Sequence, residues 1–449
     1  MTPKPTRTGA ADRLAALAED ALGGPLPLRL RAWDGSEAGP TGTPVAVIRT
    51  RRALRRLLWN PGELGLSQAY ITGDIDVDGD LGEALRTMWR AARERSVHAP
   101  RITLAVRARA ARTLLRLGAV GPPPAPPAGQ ARLRGTLHSR ARDRAAISHH
   151  YDLSNAFYRF LLDDTMAYSC AYWPDEPDEP VEPDETPEDS RGDAPPTALA
   201  AAQRAKLELV CRKLDLKAGD RLLDVGCGWG SFTLYAAEQH GVHVTAVTLA
   251  AEQAAYVKEQ ATARGLDKRV EVLCQDYREP AGGAYDAAAT IEMGEHVGDA
   301  EYPAFAALLH DRVRSGGRIL VQQMSRQHSA PGGGAFIEAF IAPDMHMRPL
   351  GDTVTLLEQA GLEVRSVEAL REHYVRTVDA WYRTLEENWD EAVRLLGEEG
   401  ARVWRLYLVG GQLAFAERRM GVDQILAVRP DPKGGAALPL RLGTWSGHE

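Results

Sequence analysis

The chain has 449 residues, of which 44% are hydrophobic and 26% are charged, and its formal net charge is −7. This length predicts two domains, and this composition excludes a chain that is disordered throughout. No signal peptide or membrane-spanning stretch is evident, and the four cysteines have neither disulfide nor zinc-ligand spacing, so a cytoplasmic protein without a metal is expected.

Residues 1–120 are predicted to form a small α+β domain. The stretches "LPLRLRAW" and "PVAVIRT" alternate like strands, whereas "RRALRRLLWN" and "LGEALRTMWRAARE" have the apolar spacing of helices. The domain ends in an Arg-rich helix, "ITLAVRARAARTLLRLGAV", in which Arg109, Arg112 and Arg116 share one face. Two interpretations of this helix stay open, contact with an anionic bilayer and packing against its own domain.

Two segments of unusual composition come next. Residues 121–145 begin with "GPPPAPPAGQ" and are interpreted as a Pro-rich and basic linker, since proline interrupts helices. Residues 146–449 are predicted to form the second domain. Within it, residues 174–196 are an acidic, low-complexity insert that is too polar to bury and is predicted to be disordered.

Helix and strand patterns alternate after this insert. Five stretches have the composition of strands and are separated by helical or loop stretches, namely "RLLDVG", "HVTAVTL", "VEVLCQD", "YDAAATI" and "RILVQQM". Repeated βα units predict an α/β fold, a doubly wound and largely parallel sheet. Ligands of such sheets bind at the carboxyl ends of the strands.

A glycine-rich turn, "LLDVGCGWGS", places Gly226, Gly228 and Gly230 between a strand and a helix. Glycine allows the backbone to approach a ligand closely, and the helix that follows presents free N–H groups. A dinucleotide site prefers GxGxxG and an acidic residue after the next strand, whereas this chain has GxGxG and Thr248. A tight turn in some other doubly wound fold is the alternative.

Together with "VTLAAEQ" and "CQDYRE", this turn resembles that of class I S-adenosylmethionine-dependent methyltransferases. The resemblance implies S-adenosylmethionine as the cofactor. It assigns Gly226 and Gly228 to the methionine part, Thr248 and Gln253 to the ribose, Gln275 and Asp276 to the adenine, and Asp224 to cofactor binding as well.

A more specific resemblance lies in the aromatic stretch "HHYDLSNAFYRFLLDDTMAYSCAYW" and in "IEMGEHVG", "EHYVRTVDAWYRTLEEN" and "LYLVGGQLAFAERRMGVDQ". These are similar to motifs of the cyclopropane-fatty-acyl-phospholipid synthases and the related mycolic acid methyltransferases, over most of the chain. The resemblance implies methyl transfer to the cis double bond of unsaturated phospholipid acyl chains. It also implies peripheral association with the inner face of the membrane and a homodimer, and no nucleic-acid partner is expected.

In this family, ring closure requires a base, and the resemblance implies that the base is bound bicarbonate. By the same resemblance, Cys170, Glu295 and Tyr374 would hold it, and Tyr168 and Ser169 would contact S-adenosylmethionine. Gln322 stands where the synthases have histidine. Because a carboxamide can donate a hydrogen bond but cannot carry a proton, the strength of bicarbonate binding and the fate of the carbocation are in question.

The chemistry explains the aromatic residues, because an alkene must be aligned with the methyl group away from water and aromatic faces stabilise the carbocation that results. A cyclopropane product is preferred over a mid-chain methylene, which would require a partner reductase to become a methyl branch. Methylation of a soluble unsaturated molecule is a second hypothesis. A catalytically silent lipid- or nucleic-acid-binding protein is a third, against which the residues Gly226, Gly228, Cys170 and Glu295 argue.

Overall fold

The computed structural model describes residues 9–94, 112–131, 142, 155–175, 197–279, 283–327 and 333–439. Contacts divide the chain into two compact units. The first unit comprises Met1–Arg132, Gly334–Ile341 and Trp389–Leu413, and the second comprises Leu133–Gly333, Ala342–Asn388 and Ala414–Glu449. Residues 102–111 of the predicted Arg-rich helix, most of the second half of the predicted linker and residues 176–196 of the predicted acidic insert lie outside the described residues.

The first unit is built on a four-stranded sheet of order β2-β1-β3-β4. Its strands are β1 (Arg29–Arg31), β2 (Glu37–Ala38), β3 (Val45–Ile48) and β4 (Ile75–Asp78). Its helices are α1 (Ala10–Leu22), α2 (Arg52–Trp59), α3 (Glu63–Ile71), α4 (Leu81–Glu94), α10 (Ala335–Phe340) and most of α13 (Trp389–Ala416). Apolar residues of α1, α2 and the sheet pack with Leu117 and Ala119 in one core.

A buried carboxylate joins helix α2 to strand β4. Asp74 has no exposed side-chain surface and accepts hydrogen bonds from Thr50, Arg52, Arg56 and Thr72. A buried charge is tolerated when it is paired and fully hydrogen-bonded, as this one is. These hydrogen bonds hold the start of α2 against β4, the strand at the edge of the sheet. Arg56 is buried as well.

The second unit contains a seven-stranded sheet of order β10-β11-β9-β8-β5-β6-β7. Its strands are β5 (Arg221–Val225), β6 (His243–Thr248), β7 (Val270–Cys274), β8 (Tyr285–Ile291), β9 (Val313–Ser325), β10 (Glu363–Ala369) and β11 (Gly421–Val428). Its helices are α5 (Asn155–Leu161), α6 (Ala198–Leu214), α7 (Ser231–Gln239), α8 (Ala251–Ala263), α9 (Tyr302–Arg312), α11 (Leu350–Gln359) and α12 (Arg371–Glu387).

The strand directions confirm the prediction of an α/β fold with a largely parallel sheet. Strands β5 to β9 pair in parallel, and β11 alone runs against its two neighbours. The centre of the sheet is apolar because Leu223, Ala288 and Ile319 lie on strands covered by helices on both faces. The carboxyl ends of β5, β6, β7 and β8 therefore meet at one edge of the sheet.

None of the described helices combines the length and the apolar composition needed to cross a bilayer.

Candidate active site

The glycine-rich turn joins β5 to α7 and opens a space for a ligand. Gly226, Gly228 and Gly230 all have positive φ, at 83°, 54° and 78°. A Cβ atom on Gly228 would meet nothing within 4 Å, whereas one on Gly230 would lie 2.8 Å from the side chain of Val257. Gly228 therefore borders open space, and Gly230 is required for close packing of the turn against α8.

Asp224 stabilises this turn by linking the strand before it to the helix after it. Its side chain is buried at the end of β5 and accepts a hydrogen bond from the Thr233 hydroxyl at 2.6 Å. Burial raises the pKa of Asp224 to about 6. The contact with Thr233 ties the strand to α7, so Asp224 shapes the loop, while its direct contact with a cofactor stays a prediction.

At the end of β6, the residues assigned to the ribose contact each other. The Thr248 hydroxyl donates to Oε1 of Gln253 at 2.8 Å. The other amide atom, Nε2 of Gln253, is buried and has no hydrogen-bond partner among the described residues. Since buried donors are nearly always paired, this amide is poised to donate to a ligand oxygen, and the hydroxyl groups of a nucleoside fit that requirement.

The two residues assigned to the adenine lie on the neighbouring strand end. The backbone N–H of Gln275 donates to the Thr248 carbonyl at 3.0 Å, which brings the ends of β6 and β7 together. The Asp276 carboxylate forms an ion pair with Arg278 at 2.6 Å. Both residues therefore lie at the carboxyl edge of the sheet, as a nucleoside site in this fold requires.

Ser169, the residue after Tyr168, contacts a buried lysine that sequence reasoning missed. The Ser169 hydroxyl accepts a hydrogen bond from Nζ of Lys206 at 2.9 Å, and Lys206 has no exposed surface. Burial lowers the pKa of Lys206, whereas the nearby carboxylates oppose that shift. In α6, Gln203 and Lys206 fall on the same face as the buried apolar residues, and polar residues on that face are the signal that could have identified them.

Three of the four predicted catalytic residues converge on a carboxylate that was not predicted, that of Glu292. Oε1 of Glu292 accepts the backbone N–H of Cys170 at 2.7 Å and Nε2 of Gln322 at 2.9 Å. Oε2 accepts the hydroxyl of Tyr374 at 2.5 Å. We call Glu292, Cys170, Gln322 and Tyr374 the carboxylate cluster.

Glu292 follows strand β8 in an unusual conformation. Its φ is 52°, in the left-handed region that non-glycine residues rarely adopt. Its backbone N–H donates to the Gln322 carbonyl at 2.6 Å, so the residue is held at the end of the β8–β9 pairing. Such strain persists only where the surroundings enforce it, and it concentrates at functional sites.

A chain of donors determines how Gln322 faces Glu292. Lys213 can only donate, and its Nζ lies 2.7 Å from Oε1 of Gln424. Nε2 of Gln424 then donates to Oε1 of Gln322 at 2.9 Å. The remaining group of Gln322, its NH₂, must therefore point to Glu292, which is the orientation that donates to a carboxylate.

Glu295, the fourth predicted catalytic residue, lies on a short 3₁₀ helix, Gly294–His296, which begins two residues after Glu292. Its side chain is buried, and its Oε2 has no partner among the described residues. Burial, followed by the negative charge of Glu292, raises the pKa of Glu295 well above its ordinary value. Burial also raises the pKa of Glu292, but three donors favour its charged form, so Glu292 ionises first and Glu295 stays protonated.

The Cys170 thiol is neutral. Burial, reinforced by the charge of Glu292, raises its pKa well above the ordinary value. Its sulfur lies 3.3 Å from the carbonyl of Ala171 and 3.6 Å from that of Leu370. Cys170 therefore contributes its backbone N–H to the carboxylate cluster, and its thiol is not a nucleophile.

Aromatic rings surround the turn and the cluster. Tyr158 lies against Trp229 of the glycine-rich turn, with ring centroids 4.2 Å apart, and against Tyr168 at 5.7 Å. Tyr374 stacks on Phe415 at 4.5 Å. Aromatic faces can stabilise a positive charge, so rings beside the turn and the cluster are compatible with a carbocation intermediate. No group of three or more side chains suited to a metal ion occurs among the described residues.

Comparison with known proteins identifies relatives over most of the chain. The sequence profile of a family described as mycolic acid cyclopropane synthetase matches residues 138–425. The chain is 36% identical to the probable fatty acid methyltransferase Rv3720 of Mycobacterium tuberculosis, over 92% of this chain and 94% of the relative. It is 34% identical to a probable fatty acid methyltransferase of Pseudomonas putida, over 92% and 95%.

Solved structures agree with these matches. The mycolic acid cyclopropane synthase CmaA1, complexed with SAH and CTAB, is 29% identical and has a TM-score of 0.55, covering 63% of this chain and 97% of that one. The cyclopropane synthase MmaA2 from Mycobacterium tuberculosis is 27% identical, with the same TM-score and coverage. A coclaurine N-methyltransferase, 21% identical with a TM-score of 0.57 over 81% of this chain and 98% of its own, shares the fold.

Proposed function

The chain belongs to the mycolic acid cyclopropane synthetase family, and from that premise we propose that it transfers the methyl group of S-adenosylmethionine to the cis double bond of an unsaturated lipid acyl chain. The predicted class I methyltransferase fold and the predicted resemblance to this family are confirmed. Membership makes the chain an S-adenosylmethionine-dependent methyltransferase; the acceptor and the product are the proposal.

The observation that carries the proposal is the position of the carboxylate cluster beside the glycine-rich turn. Met293, the residue after Glu292, packs so closely on the turn that a Cβ atom on Gly226 would lie 2.8 Å from its side chain. The open space at Gly228 and the unpaired amide of Gln253 suit the cofactor, which supplies an electrophilic methyl group when bound. Methyl transfer to an alkene leaves a carbocation that must lose a proton to a base, and a carboxylate lies beside the turn.

The residues do not fit bicarbonate, the base that the family resemblance implies. The groups that would hold it, the Cys170 N–H, the Gln322 amide and the Tyr374 hydroxyl, already donate to Glu292. Bicarbonate bound there would lie against the Glu292 carboxylate and would receive no hydrogen bond from these three donors. Two like charges in a buried site repel each other strongly, so this arrangement would be costly. We therefore route no step through bicarbonate.

We propose two products for this chemistry. Ring closure to a cyclopropane is the product that the family resemblance suggests. A mid-chain methylene is the second candidate, favoured by Gln322 in place of histidine. The second product would require a partner reductase to yield a methyl branch.

We further propose that the acceptor is a phospholipid in a bilayer, and one surface of the first unit supports this. Trp59 and Leu115 are 52% and 63% exposed, and Leu58 and Val120 are exposed beside them. The indole N–H of Trp59 donates to the Gly121 carbonyl at 2.9 Å, so the two segments are neighbours. Arginines flank these apolar side chains, namely Arg51, Arg52, Arg55, Arg112 and Arg116. Apolar and basic side chains together suit an anionic bilayer surface.

The test is to incubate the purified protein with S-adenosylmethionine and vesicles of cis-unsaturated phospholipid, and to identify the acyl products by mass spectrometry and proton NMR. We expect acyl chains heavier by one carbon. Upfield cyclopropane protons would establish ring closure, and vinylidene protons would establish the methylene. Acyl chains without added carbon, in a protein that binds S-adenosylhomocysteine, would contradict the proposed acceptor and direct the search to soluble molecules.

A further inference from the structure

We infer that the carboxylate of Glu292 is the general base of the reaction, built into the chain at the place that a bound bicarbonate would otherwise occupy. The inference rests on the proposed methyl transfer and names the group that removes the proton from the methylated substrate. It makes the enzyme independent of dissolved bicarbonate.

The first support is the identity of the donors around Glu292. The family resemblance assigns Cys170, residue 322 and Tyr374 to binding a small carboxylate-like anion. In this structure, the same three positions donate to the two oxygens of one side-chain carboxylate, at 2.7, 2.9 and 2.5 Å. The three donors therefore still bind a carboxylate, but this carboxylate is a side chain of the protein itself.

The second support is the backbone strain and the oriented hydrogen bonds that position this carboxylate. Glu292 adopts a left-handed backbone conformation, which is sterically unfavourable for an L-residue. The donor chain from Lys213 through Gln424 orients Gln322 toward it. A glutamate with only a packing role would need neither the strained backbone nor the oriented amide.

The third support is charge. Among the described residues, four titratable groups face Glu292: the carboxyl of Glu295, the ammonium of Lys206, the thiol of Cys170 and the hydroxyl of Tyr374. Protonated Glu295 and neutral Cys170 leave Glu292 as the anion of the cluster, with Lys206 as a nearby positive charge. Burial raises the pKa of Glu292 above that of an ordinary glutamate, which strengthens it as a base near neutral pH.

The chemical step balances without a further reactant. The π electrons of the alkene form the bond to the methyl carbon, the electrons of the broken sulfur–carbon bond remain on sulfur, and the second alkene carbon becomes cationic. Glu292 then takes a proton from the new methyl group. The electron pair of that C–H bond closes the ring or, after a hydride shift between the two former alkene carbons, forms the methylene double bond. Glu292 later releases the proton to solvent.

The decisive experiment uses Glu292→Gly in buffers depleted of, and supplemented with, bicarbonate. Glycine adopts the φ of 52° without strain and frees all three donors for an external anion. We expect turnover of this variant to fall by about a hundredfold or more without bicarbonate and to be restored, saturably, by adding it. We expect turnover of the wild-type protein to be the same in both buffers.

Two further variants separate a catalytic role from a structural one. Glu292→Gln keeps the shape but cannot accept the proton, so it should lose turnover, retain affinity for S-adenosylhomocysteine and gain nothing from bicarbonate. Asp215→Gly is the matched control, because Asp215 is also an acid with positive φ, 55°, but caps α6 outside the carboxylate cluster. It should show no dependence on bicarbonate.

The outcomes are distinguishable. If the wild-type protein methylates acyl chains but needs bicarbonate, or if Glu292→Gln retains full turnover, the inference is overturned and the proposed function stands. If the wild-type protein binds S-adenosylhomocysteine but adds no carbon to any lipid, the proposed function fails and the inference fails with it. The inference and the proposed function are both supported if bicarbonate restores turnover of Glu292→Gly while turnover of the wild-type protein is the same with and without bicarbonate.

Discussion

At the scale of single residues, Tyr374 makes the shortest hydrogen bond of the carboxylate cluster, 2.5 Å to Glu292. A hydroxyl that donates to a buried carboxylate favours the charged form, so this contact lowers the pKa of Glu292 against the effect of burial. It also holds the carboxylate in one orientation. Tyr374 is thus a positioning residue for the proposed base, whatever contribution its ring makes to stabilising a carbocation.

We predict that Tyr374→Phe lowers turnover by about tenfold to a hundredfold, since hydrogen bonds to charged groups contribute about 1.5–3 kcal/mol. Without this donor the pKa of Glu292 rises further, so the acid limb of the pH–rate profile should move to higher pH. Turnover would then be lost at a pH at which the wild-type protein still retains ionised Glu292. The measurement is turnover against pH for both proteins.

Tyr235→Phe is the control for this prediction. Tyr235 also donates to a carboxylate, that of Glu208 at 3.1 Å, but this pair lies outside the carboxylate cluster. We expect its pH–rate profile to match that of the wild-type protein. An unshifted acid limb in Tyr374→Phe would contradict the assigned role of Tyr374.

Sequence reasoning identified three members of the carboxylate cluster and missed the fourth. The motifs around Cys170, Gln322 and Tyr374 can be matched along the chain, and Gln322 drew attention because a histidine was expected. Glu292 lies three residues before Glu295 in "IEMGEHVG", and a glutamate after a strand has many ordinary explanations. Only the folded chain shows that residues 170, 322 and 374 all donate to it.

At the scale of elements, the glycine-rich turn has two different needs for glycine. Gly230 packs against Val257 of α8, whereas Gly228 faces open space, although both have positive φ. Gly230 is therefore required for folding, whereas Gly228 allows a ligand to approach the backbone. The sequence pattern GxGxG does not distinguish them, because the difference depends on what lies opposite each residue.

We predict that Gly230→Ala lowers the free energy of unfolding by about 2–5 kcal/mol, the sum of left-handed strain and overpacking against Val257. Gly228→Ala should cost only the strain, about 1–2 kcal/mol, but its methyl group would enter the space proposed for the cofactor. We therefore expect Gly228→Ala to weaken binding of S-adenosylhomocysteine more than Gly230→Ala does. Urea denaturation and titration calorimetry measure the two effects. Equal effects of both variants on stability and binding would contradict the distinction.

Strands β5 to β9 were predicted because short apolar runs between helices mark a buried parallel sheet. The sequence patterns did not predict strands β10 and β11 or the helices beyond residue 300. Strand β11 nevertheless supplies Gln424, which donates a hydrogen bond to Gln322. Polar residues interrupt these segments, and antiparallel pairing at the edge of a sheet depends on partners distant in the sequence. The register of Gln322 with Gln424 exists only once β11 pairs with β9.

At the scale of the whole molecule, the exposed surface that includes Trp59 and Leu115 belongs to the first unit, whereas the candidate active site belongs to the second. The proposal assigns these surfaces separate tasks, contact with a bilayer and chemistry. A change at the first surface should therefore alter the use of vesicles without altering cofactor binding.

We predict that the double variant Trp59→Ser, Leu115→Ser lowers binding to anionic vesicles by about tenfold or more, since burial of one large apolar side chain contributes about 1.5–3 kcal/mol. Binding of S-adenosylhomocysteine should be unchanged. Added salt should weaken the vesicle binding of both proteins, because the arginines act through screened charge. Co-sedimentation with vesicles at several salt concentrations is the measurement.

Val367→Ser provides the control, because Val367 is 41% exposed but lies in the second unit, on strand β10. It should bind vesicles like the wild-type protein. Equal vesicle binding by the double variant and the wild-type protein would remove the support that this surface gives to a membrane acceptor.

The α/β class, the glycine-rich turn and the family can be predicted from the sequence, because each depends on residues near one another in the chain or on motifs that can be matched in order. The construction of the site becomes visible only in the folded chain. The tertiary structure brought positions 170, 292, 322 and 374 together and showed that Glu292 already occupies the donors assigned to bicarbonate. The physical reason is that a buried carboxylate is defined by the donors around it, and here those donors come from distant parts of the chain that meet only when the sheet has formed.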